Sequence, residues 1–239
     1  MSQTWAVIPA RSGSKGYPGK NIAHVMGVPL MAHSINFAKK LKFVDKVVLS
    51  TDSEEYAAIG KQYGAEVPFR RGEVAARDTS MEEDILEDMR LKCIEARIDP
   101  PSTIVWLRPT HPIREVKTFE RAYQKFLSGK YTSICVVTPE DPRIFFEGDD
   151  ALRSDLANFQ DRSMVRRQDC PLAYRIFGGE IFSFPDAYDR RFLGEKLGFE
   201  VADKRCKFDI DYPEDLEYLD YLLSTKGGKE RIGSLVHPF

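Results

Sequence analysis

The chain is short of the features that would mark a metal scaffold, a membrane span or a polyanion coat. Its 239 residues include four cysteines and four histidines. Cys93, Cys135, Cys170 and Cys206 are widely spaced with no CxxC, and the histidines form no HxH or HxxxH. A structural zinc site and a disulfide framework are therefore not expected, whereas reduced cysteines in a cytoplasmic protein are. No apolar run approaches the ~20 residues needed to cross a bilayer. No basic segment leads into a hydrophobic one near the N-terminus, so no secretory signal is expected. An excess of one charge is lacking too: 35 Lys and Arg stand against 37 Asp and Glu, a net charge of −2. Proteins that coat nucleic acid usually carry a basic excess, so none is expected as a partner. Phosphate chemistry would need a local cluster of cations.

What is present is an alternation. "TWAVI" reads as a buried strand, and "PLMAHSINFAKKL" (29–41) has helical spacing. "KVVLST" (46–51) is a strand and "SEEYAAIGKQYGA" (53–65) a helix, with Ser53 as N-cap. Helices at 82–96 and 116–127 alternate with strands at 103–107 and 133–138. Such alternation implies parallel βαβ units and an α/β class. From Pro139 to about Arg175 it lapses into a charged, aromatic stretch, read as an inserted arm that packs on a partner subunit or on its own domain. The pattern resumes with strands at 179–184 and 206–211, a short helix after Pro185 and a closing helix at 213–223. The last fifteen or so residues read as a loose tail. No internal repeat and no linker divides the chain, so one domain over 1–239 is expected.

The segment "AVIPARSGSKGYPGKNI" (6–22) follows the first strand and holds Gly13, Gly16 and Gly19 with Arg11, Lys15 and Lys20. Ligands of open α/β sheets bind at the C-terminal ends of the strands, and glycines let backbone N–H groups approach an anion. Arg11 suits bidentate phosphate contacts, while the lysines act as point charges. Walker A and GxGxxG are both absent. The latter absence argues against a Rossmann dehydrogenase, although Asp52 ends the second strand where an acidic residue would sit. A solvated surface loop is the simpler alternative.

Five segments, in order, carry a resemblance: "IPARSGSKGYPGKNI", "STDSEEYAAIGKQYGAEVPFRR", "WLRPTHPIR", "MVRRQDCPLAYR" and "FDIDYPEDLEYL". Together they resemble the cytidylyltransferases that activate acidic sugars, above all the CMP-N-acetylneuraminate (CMP-sialic acid) synthetase family, over residues 4–223. The resemblance implies a Rossmann-like three-layer nucleotidyltransferase fold with a mainly parallel sheet and a dimerisation arm at about 139–175, giving a homodimer. It implies transfer of CMP from CTP to the anomeric hydroxyl of an acidic keto-sugar, with Mg²⁺ (or Mn²⁺) and release of pyrophosphate. A Kdo-like or phosphonate acceptor, or a non-catalytic nucleotide-binding protein, are the alternatives.

Carried over, Arg11, Lys15 and Lys20 hold the triphosphate, with Ala10, Ser14 and Asn21 near the nucleotide. Arg71 and the Thr79–Ser80 stretch lie beside the cytosine; a surface pair of Arg71 with Glu73 is the plain alternative. Arg11, Lys20 and Asp211 are the catalytic residues. Asp209 and Asp211 are the metal ligands, since positions i and i+2 of a strand face one side. Asp211 also reads as the cap of the closing helix, with Glu214 three residues on. Arg108, Thr110, Tyr174 and Phe177 are assigned to the acceptor. Two of these depart from the family pattern: Arg108 replaces a glutamine and Phe177 an asparagine. Arg108 has an alternative as the partner of a protein carboxylate. His111, where relatives have serine, reads as a packed or solvent-facing side chain. Arg162, Arg166 and Arg167 on the arm are either reach-across residues for a partner's site or surface charge beside Asp161 and Asp169.

Overall fold

The first strand, β1 (Thr4–Pro9), serves two cores at once. Ala6 and Ile8 face one and Trp5 and Val7 the other, as the two-residue period of a strand requires. In the computed structural model, which describes residues 3–13, 16–147, 152–153, 166–187 and 191–239, β1 is flanked by two parallel strands of a six-stranded sheet.

After β1 the loop closes through a 3₁₀ turn at Lys20–Ile22 and a small hairpin, β2 (His24–Val25) and β3 (Val28–Pro29). Helix α1 (Leu30–Ala38) is wholly buried. Strand β4 (Lys46–Ser50) leads to α2 (Glu54–Gln62), whose Ser53 cap accepts the amide of Tyr56. Helix α3 (Glu82–Ala96), β5 (Thr103–Trp106), α4 (Val116–Leu127) and β6 (Ser133–Glu140) follow. Two short strands of the arm pair antiparallel, β7 (Phe146–Glu147) and β8 (Leu152–Arg153). Next come β9 (Ala173–Ser183), α5 (Phe184–Ala187), β10 (Leu197–Val201), α6 (Pro213–Ser224) and α7 (Lys226–Ile232).

The strand order is β10-β6-β9-β5-β1-β4. Five strands run parallel, and β9 lies antiparallel between β5 and β6. Helices α1, α2, α4 and α6 pack on one face of the sheet and α3 and α5 on the other, which gives three layers. A bulge interrupts β9 at Gly178 (φ 97°) and Gly179 (φ 158°). A Cβ at Gly179 would lie 2.3 Å from the Trp106 carbonyl oxygen, so only glycine lets β9 approach β5 so closely here.

Three expectations need correction. Residues 206–211 are not a strand. Lys204–Cys206 closes a 3₁₀ turn capped by Asp203, and the following segment makes one backbone bond to the sheet end, Ile210 N to Thr110 O at 2.9 Å. The strand of this region is β10 instead, where Gly198 breaks the apolar run and hides the signal. The C-terminus is not a loose tail either. Leu235, Val236 and His237 are buried, Val236 bridges Ile113, and Asn36 donates to the Pro238 carbonyl. The apolar side chains of this segment cover the α1 face, as seen in the ring contact of His237 with Phe37 at 4.9 Å. Finally, the strand expected at 179–184 begins at Ala173, because it continues the pairing with β6 out to Glu140.

Candidate active site

A cleft of three connected lobes opens at the C-terminal ends of β1, β4 and β5, where α/β sheets take their ligands. The first lobe, about 270 Å³, is lined by Arg11, Lys20, Arg71, Ser80 and Trp106 among others. The middle lobe, about 360 Å³, lies between Arg11, Gly16, Lys20, Asp78, Asp211 and Tyr212. The third, about 480 Å³, is walled by Arg108, His111, Arg175, Glu180, Asp209 and Asp211. Arg11 and Lys20 border the first two, Asp211 the last two, and Glu82, Arg108 and Thr110 the first and third.

In the first lobe Arg71 is buried. It donates to the Ser50 hydroxyl at 3.1 Å and to the Ser50 carbonyl at 2.8 Å, so it turns into the end of β4 rather than outward to Glu73. Burial pushes its pKa down to about 10, against the pull of Asp52 and Asp88. Ala10, fully buried, donates its amide to Ser50, which ties the loop to the same point. Asn21 donates to the Arg11 carbonyl at 2.9 Å and holds the loop's shape from beneath. Ser80 lines the lobe and bonds the Val74 carbonyl at 2.5 Å, whereas Thr79 is exposed beside it.

The middle lobe holds the loop's cations against carboxylates. Arg11 pairs with Asp78 at 2.7 Å, and Lys20 with Asp211 at 3.0 Å. Asp52 accepts from both the amide and the hydroxyl of Ser12 and so pins the loop's outgoing limb. Ser14 and Lys15 lie outside the described residues. Asp211 does not cap α6. Its role there falls to Asp215, which accepts the amides of Asp211 and Tyr212, both at 2.9 Å, in a capping-box arrangement. The Asp211 carboxylate is thereby left to the cleft.

The third lobe brings Asp209 and Asp211 to one cavity even without a strand, with the buried Ile210 between them anchoring the segment through the hydrogen bond of its amide to Thr110. His111 is buried, as a packed histidine, with Nε2 3.3 Å from Asp209 Oδ1 and its ring edge-on to Phe177 at 5.2 Å. Burial lowers the His111 pKa despite Asp209. Burial would raise that of Asp209, but the contacts with His111 and Thr110 outweigh it and hold the carboxylate below its ordinary value. Arg108 takes its protein-carboxylate alternative: NH1 reaches both oxygens of Glu180 (2.6 and 2.8 Å) and NH2 reaches Glu82 (2.8 Å).

Two acceptor assignments do not face the cavity. Phe177 is buried behind His111. Tyr174 meets Phe199 of β10 in a tilted ring contact, 5.3 Å between centroids, on the side of β9 away from Arg175. Alternation along β9 sends Arg175 to the lobe instead, where its guanidinium stands over Phe177 and 3.8 Å from Asp209. Arg166 pairs with Asp169 at 2.8 Å and Arg167 opens the short turn beside it, both away from this cleft; Arg162 lies outside the described residues.

The sequence reading missed Arg175, Glu180, Glu82 and Arg114. Arg114 is fully buried and donates to the Gly178 carbonyl, the Arg108 carbonyl and the Ser34 hydroxyl. Burial pushes its pKa down to about 9. It clamps the loop after β5 to the bulge of β9. Nothing in the local pattern marked it, since only Pro112 and Ile113 beside it are apolar.

Divalent-metal chemistry fits this donor set. Mg²⁺ usually takes one or two carboxylates plus phosphate oxygens and water, and Asp209 and Asp211 share a cavity. Asp209 Oδ1 is buried without a hydrogen bond in good geometry, which is costly unless a cation completes it. Among the described residues no group of three or more His, Cys, Asp or Glu converges, so a cage built wholly of protein ligands is not formed by them.

Comparison with known proteins agrees with this geometry. A sequence model described as cytidylyltransferase matches residues 5–231. A Campylobacter jejuni CMP-N,N'-diacetyllegionaminic acid synthase is 28% identical over 95% of this chain and 97% of its own length. A Campylobacter jejuni pseudaminic acid cytidylyltransferase is 30% identical over 90% and 94%. Among solved structures, a CMP:2-keto-3-deoxy-manno-octonic acid synthetase complexed with CTP overlays with a TM-score of 0.66 at 15% identity, covering 93% of this chain and 99% of that one. That likeness speaks to the fold.

Proposed function

Because the chain belongs to the cytidylyltransferase family, we propose that it transfers CMP from CTP to the anomeric hydroxyl of a nonulosonic acid, releasing pyrophosphate and forming a CMP-sugar. The observation that carries this reading is the order of the three lobes. A lobe built on Arg71 and Ser80 suits a base, and the Arg11–Lys20 lobe suits a polyphosphate. The lobe holding Asp209, Asp211 and Arg175 suits an acidic sugar beside a metal.

Arg71, anchored on Ser50, presents donors that suit the acceptor atoms of cytosine. Arg11 and Lys20 exchange Asp78 and Asp211 for phosphate oxygens and neutralise the charge that develops there, which is the main work of phosphoryl-transfer sites. Asp209 and Asp211 would hold Mg²⁺. When bound, the ion neutralises phosphate charge and lowers the pKa of a coordinated hydroxyl. Arg175 supplies a cation for the acceptor's carboxylate. Thr110 keeps the Asp209–Asp211 segment in place through its carbonyl. The exposed Leu172, Tyr174 and Phe199 at the base of the arm support a homodimer, with Arg166 and Arg167 directed to the partner's site.

The test is pyrophosphate release with CTP, Mg²⁺ and a panel of legionaminic, pseudaminic, N-acetylneuraminic and eight-carbon ulosonic acids. Release with a nonulosonic acid, lost in Asp211→Ala, is the expected result. Silence with every acceptor while CTP still binds would overturn the acceptor half, and absence of CTP binding the whole reading.

A further inference from the structure

Arg108 is the arginine of the loop after β5 that the sequence assigns to an acidic acceptor, and the structure engages it with two protein carboxylates. Its NH1 is shared between the two oxygens of Glu180, which is almost fully buried, and its NH2 is held by Oε1 of Glu82. Burial alone would lower the pKa of Arg108, but the two carboxylates outweigh it and hold it above the ordinary value. Glu180 is pushed upward by its own burial, against the pull of Arg108. The triad sits at the junction of the nucleotide and acceptor lobes, both of which Glu82 and Arg108 line.

Of the two carboxylates, Glu82, the first residue of α3, is the more exposed, with about a quarter of its side chain open, much like Arg108. Arg108 engages one of its oxygens. Glu82 lines both lobes, and no hydrogen bond of Arg108 takes its second oxygen. An ionised carboxylate held in this way repels the carboxylate of a substrate and accepts from N–H or O–H groups.

Resting on the proposed acceptor class, we infer that Glu82 determines acceptor specificity: it accepts a hydrogen bond from an acylamino N–H of the sugar, while Arg108 is a positioning residue that aims it. The acceptor's carboxylate is thereby turned away from Glu82 and toward Arg175 on the opposite part of the lobe.

The experiment measures KM and kcat for each substrate in the wild type, Glu82→Ala and Glu82→Gln. It uses a diacylamino nonulosonic acid and analogues with an acyloxy group replacing each acylamino group in turn. The analogues keep the shape and lose the N–H. A hydrogen bond to a charged group carries roughly a tenfold or larger effect. In the wild type one analogue is expected to show an acceptor KM raised about tenfold. In Glu82→Ala the acceptor KM is expected to rise by about the same factor for the parent sugar, and the preference over that analogue to vanish. The KM for CTP and the thermal midpoint should hardly move. The double variant Arg108→Gln/Glu180→Gln, which removes both members of the buried pair together, is expected to show the same loss of preference. An unchanged preference in Glu82→Ala, or an equal rise in the KM for CTP, overturns the inference alone. A wild type that turns over no nonulosonic acid overturns the functional reading and this inference with it.

Discussion

Lys20 and Asp211 stand 191 positions apart in the chain and meet at 3.0 Å across the middle lobe. The lysine head is largely covered and the aspartate is more than half open. A pair this exposed contributes about 0–1 kcal/mol, so a ligand that brings both a phosphate and a cation displaces it at little cost. The contact keeps a cation and an anion facing the same space.

Replacing Asp211 by Ala is therefore expected to be a functional lesion with a sound fold. Loss of a charge-stabilising contact at a phosphoryl-transfer site costs about 2–4 kcal/mol of transition-state stabilisation, or roughly two orders of magnitude in kcat. Steady-state pyrophosphate release and the melting curve, measured side by side, check this. A melting midpoint that drops sharply would mean that Asp211 has a structural duty after all.

Asp215 should behave in the opposite way. Its carboxylate accepts two amides at the start of α6, so Asp215→Ala should lose about 1 kcal/mol of stability. Urea unfolding would register that loss. Because one of those amides belongs to Asp211, a smaller fall in kcat should accompany it.

Arg71 offers a test of the nucleotide lobe. Arg71→Met removes two donors from the end of β4 and the cation beside the first lobe. Affinity for CTP, followed by calorimetry, is expected to fall about tenfold, while the KM for the acceptor moves less. Equal losses for both substrates would place Arg71 in the scaffold instead.

The buried C-terminal segment predicts an acid-sensitive fold. Burial pushes the His237 pKa from 6.5 down to about 4, against its contact with the Arg114 carbonyl. The imidazole is neutral in the folded state and takes up a proton near pH 6.5 once unfolded. The unfolded chain thus binds more protons between these values, and stability falls as pH drops from about 6.5 to 4. His237 alone contributes up to about 3 kcal/mol to this loss. His33 and His111 are shifted in the same direction by the same burial. Denaturant unfolding at several pH values should show the slope, and His237→Gln should flatten it; an unaltered slope would reject the assignment.

Local pattern alone determined a good part of this molecule. The helices at Glu82–Ala96 and Val116–Leu127 and the strands opening at Thr4, Lys46, Thr103 and Ser133 lie where apolar spacing puts them. That is because burial of one helical stripe or of a strand's faces is written directly into the order of residues. The cationic loop after β1 was legible for the same reason, since its place follows from the strand before it. The tertiary structure decided the partners. Arg108 meets Glu180, 72 positions away, because β9 inserts antiparallel beside β5. Asp215 rather than Asp211 caps α6, which frees Asp211 for Lys20. Tyr174 and Arg175 exchange sides according to how β9 pairs with β6. A charged side chain has many possible partners along a chain, and only the crossing of distant segments and the exclusion of water select one.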